Sequence, residues 1–480
     1  VVGVSFGCGS AALWLSGVGF AFLLPMASRL SLCTFIIFTF SDPRSSAANS
    51  WLFNSGDFGN YGNYGNLLSV STTPAPSQIS STTPILDRLV PPPALSAKPN
   101  RETPRWIGYV IAIVAVFVPS LWIWLMMTSA TVLHWSSAPL DRINRAIDPP
   151  VPYTELMLLW RFLAPMLALL AVTVVHELGH VIAGKLVGFQ LVSAYFGRLQ
   201  IIPPFHLRWH RTDPLPGAAA FIRHLPVHSE HLRLRAMAVY AAGPAANFAC
   251  ALAFFFLPPL GIFFIWFGAF SIMTAVFNLL PFRRRSLTFD GLRILRLLRN
   301  TGEQERALAI MQLSADLHSG TEPENLRPEF LALATAIQDN SVFTVYGHHF
   351  AYLAAYYKHD DVEAARLLEI CLQYSSLAPA KVRESMFGCA VDFQASRRKR
   401  LDLARQWFAD IPETPLTPGL RSHMEATILE AEGDLQGALK KLDEAETVIR
   451  QSPEANLRAA LLRFFQRWRK ELEAQLAAKA

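Results

Sequence analysis

His176, Glu177 and His180 lie within Thr173 to Gly184, TVVHELGHVIAG, where every other residue is apolar or small. On a helix, positions i and i+4 share a face, so His176 and His180 can present two imidazole nitrogens to one cation, with Glu177 about 100° round the same turn. In such a pattern a zinc ion lowers the pKa of a bound water and the glutamate takes its proton, which makes a nucleophile for a peptide carbonyl. The setting strengthens the pattern. From Phe162 to Ile182 the only charge is Glu177, and ionisable groups in a membrane-length apolar run are costly and usually functional. The competing explanation is a buried histidine pair satisfied by hydrogen bonds, with the glutamate neutral or turned toward a water-filled cavity.

Two further segments follow, AAGPAANF at Ala241 to Phe248 and FNLLPFRRRSLTFDG at Phe277 to Gly291. With HELGH, Gly-Pro-x-x-Asn and Asn-Leu-Leu-Pro followed by Asp-Gly, the chain resembles the site-2 protease family of intramembrane metalloproteases over roughly Trp160 to Arg296. The resemblance implies one zinc ion per chain held by His176, His180 and Asp290, with Glu177 as general base and Asn247 hydrogen-bonded to substrate near the scissile carbonyl. It also implies strands and a re-entrant loop at the membrane surface, with Leu215 to Val227 standing where the family has a Pro-x-Gly-Gly segment and Ala218 in place of its second glycine. Asn247 has a plainer role open to it, as interhelical glue beside small packing residues.

Asp290 is where the chain departs from the family. It stands nine residues after Pro281, farther than the family sets it, and Arg283, Arg284 and Arg285 fill the gap. A straight helix would carry it about 13 Å beyond the proline, so ligation requires the chain to turn back, for which Pro281 and Gly291 are suited. The other role for Asp290 is to cap a helix beginning near Leu292. No other carboxylate lies between Glu230 and Asp290, and two histidines alone leave a catalytic zinc site incomplete.

The elements that must position these residues are expected in a mainly α chain: a polytopic membrane bundle with a small surface β or re-entrant region, then a soluble helical-repeat domain. The 480 residues are 52% hydrophobic and 17% charged, with a formal charge of +6. Arginines 283, 284, 285, 293, 296 and 299 face one acid, Asp290, between Pro281 and Arg299. Beside a hydrophobic span such a cluster marks the cytoplasmic end, and no nucleic-acid partner is expected. Cys8, Cys33, Cys250, Cys371 and Cys389 form no Cys-x-x-Cys pair and read as single thiols.

Residues 1–40 read as a hydrophobic segment, either a span or signal-like, and 41–104 as a disordered Ser/Thr/Pro/Gly linker. Residues 105–300 form the expected protease core, with spans at Trp106 to Leu133, Met157 to Leu186, Ala236 to Leu257 and Leu260 to Leu280. Pro258 and Pro259 leave room only for a hairpin between the last two. Residues 191–202 alternate like strands, and histidines 206, 210, 224, 228 and 231 lack the carboxylate partners of a second metal site, so they read as solvated or interfacial. Arg283 to Arg285, with Lys98, Arg101 and Arg105 before the first span, place the arginine cluster and the C-terminal domain in the cytoplasm.

In residues 301–480, Ala365, Ala404 and Ala438 open three amphipathic stretches 39 and 34 residues apart. The spacing points to a tetratricopeptide-like array, which offers a concave surface to a regulatory partner or serves as a cap that only stabilises the membrane part. The functional expectation is an intramembrane zinc metalloendopeptidase in the lipid bilayer, cutting a membrane protein substrate in or near its spanning segment. The alternative is a catalytically inactive membrane scaffold acting through its repeats.

Overall fold

A computed structural model describes residues 85–95, 117, 155–210, 219–256, 262–284, 287–451 and 455–479. The expected hydrophobic segment 1–40, the span Trp106 to Leu133 apart from residue 117, and the turn at Pro258 and Pro259 lie outside the described residues.

Helix α1, Glu155–Leu186, is built from Leu, Ala and Met with one internal proline, Pro165. It ends at Gly188, whose φ of +75° only glycine adopts without cost. Four strands follow: β1 Phe189–Phe196, β2 Leu199–Ile202, β3 His206–Trp209 and β4 Ala220–Pro226. They form an antiparallel sheet in the order β3-β2-β1-β4, with a bulge between Leu191 and Ser193. Phe205, Leu207 and Trp209 leave large apolar surfaces exposed along the β3 edge.

Helix α2, Leu232–Phe256, and helix α3, Ile262–Leu279, pack against α1 and each other. α2 begins earlier than hydropathy places it, because two arginines in its first turn have structural partners. Arg235 donates to the carbonyls of Gly188 (2.6 Å), His228 (2.8 Å) and Glu230 (3.0 Å), and also to Val187. The Val187 and Gly188 carbonyls follow the end of α1, where helices leave acceptors without intrahelical partners. Arg233 does the same for Leu297 and Leu298, at 2.6 and 3.1 Å.

After α3 the chain reverses through a two-stranded hairpin, β5 Arg283–Arg284 with β6 Leu287–Thr288, and enters α4, Asp290–Arg299. Phe282 and Phe289 stack across its base, with ring centroids 3.9 Å apart.

Helix α1 over Phe162–Leu186 and helix α2 over Leu232–Phe254 are long and apolar enough to cross a membrane, and the apolar stretch Phe263–Leu279 of α3 is shorter. Only 39% and 28% of the two longer apolar windows are buried, whereas the core helix of a soluble protein would hide most of such a surface. Their outward faces carry Trp160, Phe162, Leu170, Ile182 and Phe248, all exposed. The polar residues point inward instead: His176, Glu177, His180, Asn247 and Asp290 are buried.

The remainder is helical: α5 Gly302–Ser319, α6 Pro328–Thr335, α7 Val342–Tyr357, α8 Asp361–Gln373, α9 Ala380–Asp392, α10 Leu401–Ala409, α11 Leu420–Glu432, α12 Leu435–Arg450 and α13 Ala455–Lys479. Helices α8, α10 and α12 begin at or next to the positions the alanine spacing indicates. Asp360 and Asp434 cap α8 and α12 by accepting from the Glu363 and Gly437 amides, at 3.1 and 2.9 Å. Ala365, Ala404 and Ala438 are buried where helices touch. Met311 and Ala315 of α5 join Phe189, Leu225 and Val239 in one cluster, which seats the helical region on the sheet and α2.

The linker expectation for 41–104 needs correction over 85–95. Ile85 and Leu86 are buried in the main core of the helical region, Leu86 completely. Burial of such a leucine contributes about 1.5–3 kcal/mol. The polar composition of the surrounding stretch conceals this short apolar pair.

Candidate metal centre

The site begins with the crossing of α1 and α2. A Cβ on Gly179 would stand 2.8 Å from Ala246 Cβ, and one on Gly243 would stand 2.6 Å from His180 Cε1 and 2.8 Å from His176 Cε1. Glycine at both positions lets α2 lie directly on the histidine face of α1. Gly291 makes the third close approach, because a side chain there would collide with the Leu279 carbonyl at the end of α3.

That approach brings Asp290 back to the histidines. Its Oδ2 lies 3.3 Å from His176 Nε2 and 3.4 Å from His180 Nε2, and the two Nε2 atoms are 3.2 Å apart. The hairpin absorbs the added residues between Pro281 and Asp290, so the longer spacing does not carry the carboxylate away. Helix capping does not account for Asp290, since the cap position is Phe289 and no side chain bonds the first turn there.

The three donors could hold one metal ion. Donors about 2.0–2.1 Å from a tetrahedral zinc stand roughly 3.3 Å from one another, which matches all three edges of this triangle. A proton bridges only one pair of these atoms, whereas a single cation meets all three. His180 Nδ1 lies 2.7 Å from the Val239 carbonyl, which can only accept, so Nδ1 carries a proton and Nε2 is the nitrogen turned to the centre. His176 Nδ1 faces the Asn247 amide at 3.2 Å. Asn247 Oδ1 is buried without a hydrogen-bond partner. Rotating the amide by 180° places that oxygen on His176 Nδ1–H, which satisfies the orphan and leaves Nε2 free as a ligand.

Glu177 is buried on the same turn of α1, within electrostatic reach of both histidines, Asp290 and Arg293. Arg293, one turn along α4, lies 3.7 Å from Asp290 Oδ1, the oxygen not directed at the histidines, and 5.1 Å from the Tyr240 ring centre. Sequence reading missed Arg293 as a partner of the site. Its i+3 spacing from Asp290 is the signal that could have found it.

The other histidines form no second cluster of metal ligands among the described residues. His210 pairs with Gln200 Oε1 at 2.8 Å. His224, read as solvated or interfacial, sits on β4 with its ring against Gly184, where a Cβ would stand 2.9 Å from Nε2. Comparison of the chain with protein-family models, with curated proteins and with solved structures found no match.

Proposed function

We propose that this chain is an intramembrane zinc endopeptidase that hydrolyses a peptide bond in or near a spanning segment of another membrane protein. The observation that carries the reading is the near-equilateral triangle of His176, His180 and Asp290 donors, with Glu177 on the same turn, inside a bundle whose outer face is apolar. Zinc, when bound, supplies Lewis acidity that acidifies a coordinated water and polarises a peptide carbonyl. Glu177 takes the proton from the attacking water and returns it to the leaving amine. His180 is oriented by the Val239 carbonyl and His176 by Asn247, so each ring keeps one nitrogen for the ion. Arg293 faces the outer oxygen of Asp290 and leaves Oδ2 for the centre.

Substrate must be extended before its carbonyl is reachable. β4 is an edge strand of the sheet and packs on α1 beside Gly184, so a substrate strand added there would run past the site. Asn247 then belongs with the histidines as a positioning residue, in place of the substrate contact implied by the family resemblance. In this reading the chain is multi-pass, with the hairpin arginines and the C-terminal helices in the cytoplasm.

Metal analysis and peptide-bond cleavage test the proposal together. The purified chain should hold one zinc ion, and cleavage of a reconstituted membrane substrate should fall by about 10²–10⁴-fold in Glu177→Gln while zinc stays. A chain purified without zinc that also fails to take it up would favour the scaffold reading. Normal turnover by Glu177→Gln would remove the hydrolase mechanism.

A further inference from the structure

The polar side chains of Glu369, Gln394 and Trp407 are buried in the helical region, and among the described residues their hydrogen bonds go to residues 85–87. Glu369 on α8 accepts from the Ile85 and Leu86 amides at 3.1 and 2.8 Å. The Leu86 carbonyl accepts from Gln394 Nε2, in the π-helical segment Phe393–Arg397 that continues α9, at 2.9 Å and from Trp407 Nε1 on α10 at 3.0 Å. Three separate elements thus converge on the main chain of one short stretch. Without it, a carboxylate, an amide and an indole N–H would be left in a groove with no partner, a costly arrangement for buried polar groups.

Side chains add selectivity. Leu86 fills the core of the groove. Asp87 pairs with Arg398, and Arg88 bonds Asp410 at 2.6 Å and the Gln406 carbonyl at 2.8 Å while its guanidinium lies 3.7 Å above the Trp407 ring centre. Arg88 has φ +60°, an uncommon conformation for a residue with a side chain, and closes a turn onto the Ile85 carbonyl at 3.0 Å. Pro91, Pro92 and Pro93 follow, stiffening the strand that reaches Ser376, whose Oγ accepts from the Leu95 amide at 3.0 Å. Backbone capture, one buried leucine and a charged pair are the contacts of peptide recognition.

We propose that the helical region is a peptide-binding domain whose groove is filled in cis by residues 85–95, held as an exchangeable ligand through the Leu86-Asp87-Arg88 core. The inference is independent of the metal centre. It specifies the peptide chemistry the groove accepts: an exposed main-chain turn bearing a leucine followed by an acid and an arginine.

The test uses the full chain in detergent and a fluorescent peptide of residues 83–96. A variant weakened in its own segment, Leu86→Ala with Arg88→Ala, should bind the peptide at least tenfold more tightly than the unaltered chain, whose groove is occupied. Adding Glu369→Ala and Asp410→Ala should remove that binding. Equal binding by the unaltered and weakened chains, or none by a weakened chain that still melts cooperatively, overturns the proposal. Amide exchange on the unaltered chain gives a second test that does not depend on the variant folding. Residues 85–88 should exchange through an opening that leaves α7 and α8 protected, and exchange of the segment only together with those helices would show it to be a fixed part of the fold.

Discussion

Asp290 and the two histidines make a site whose members have separable roles. Asp290→Asn and Asp290→Ala should lower zinc affinity by more than the roughly 10–100-fold typical of losing an outer-shell partner, with the melting of the zinc-free protein little changed. Zinc titration beside thermal melting checks this, and full occupancy in either variant would remove Asp290 from the ligand set. Glu177→Gln should keep the ion and lower cleavage by about 10²–10⁴-fold, the usual contribution of a general base. Asn247→Ala should show the intermediate pattern of a positioning residue: zinc bound about 10–100-fold more weakly, with cleavage recovering as zinc is raised. If Asn247 held only substrate, zinc affinity would stay and KM would rise.

Among the elements, the turn between α3 and α4 decides whether the third ligand arrives. Gly291 packs on the Leu279 backbone, so Gly291→Ala should push α4 away and cost about 1–3 kcal/mol of stability, together with zinc affinity. Retained affinity with unchanged melting would show that the close approach is dispensable. Helix α7 sets a pH response in the helical region. Burial drives the His349 imidazole down to about 4 and also lowers His348. The unfolded chain takes up protons near the ordinary histidine value of about 6.5, so these two histidines should subtract stability from the helical region as pH falls from about 6.5 toward 4. Denaturant melts across that window check the sign, and His349→Gln should flatten the slope. A stability that rises as pH falls would contradict it.

At the level of the whole molecule, the docking of residues 85–95 bears on topology. That segment precedes the expected first span, and its groove lies beyond the last, so the proposed multi-pass reading requires an even number of crossings between them. The four expected spans meet this condition. A reporter fused after Ala480 and a tag inserted in the 70–80 region should both be cytoplasmic, with a tag at Pro258 on the opposite face. Labelling of the C-terminus by an impermeant reagent from outside would reverse the assignment.

The pairing of the two histidines was legible in the sequence because the i, i+4 period of a helix is local: His176 and His180 share a face whatever surrounds them, and the apolar run marks their burial. The helix starts after Asp360 and Asp434 were legible for the same reason, as caps and small contact residues act within a turn. Asp290 was legible as a candidate only, since its distance from the histidines depends on a hairpin and on a glycine passing the end of α3. Arg293, the Val239 carbonyl and the Asn247 contact with His176 were decided by the packing of α2 and α4 on α1. The burial of Leu86 was decided still farther away along the chain: a polar stretch with a few short apolar pairs has too little surface to fold by itself, and only the groove between α8 and α10 supplies the missing contacts.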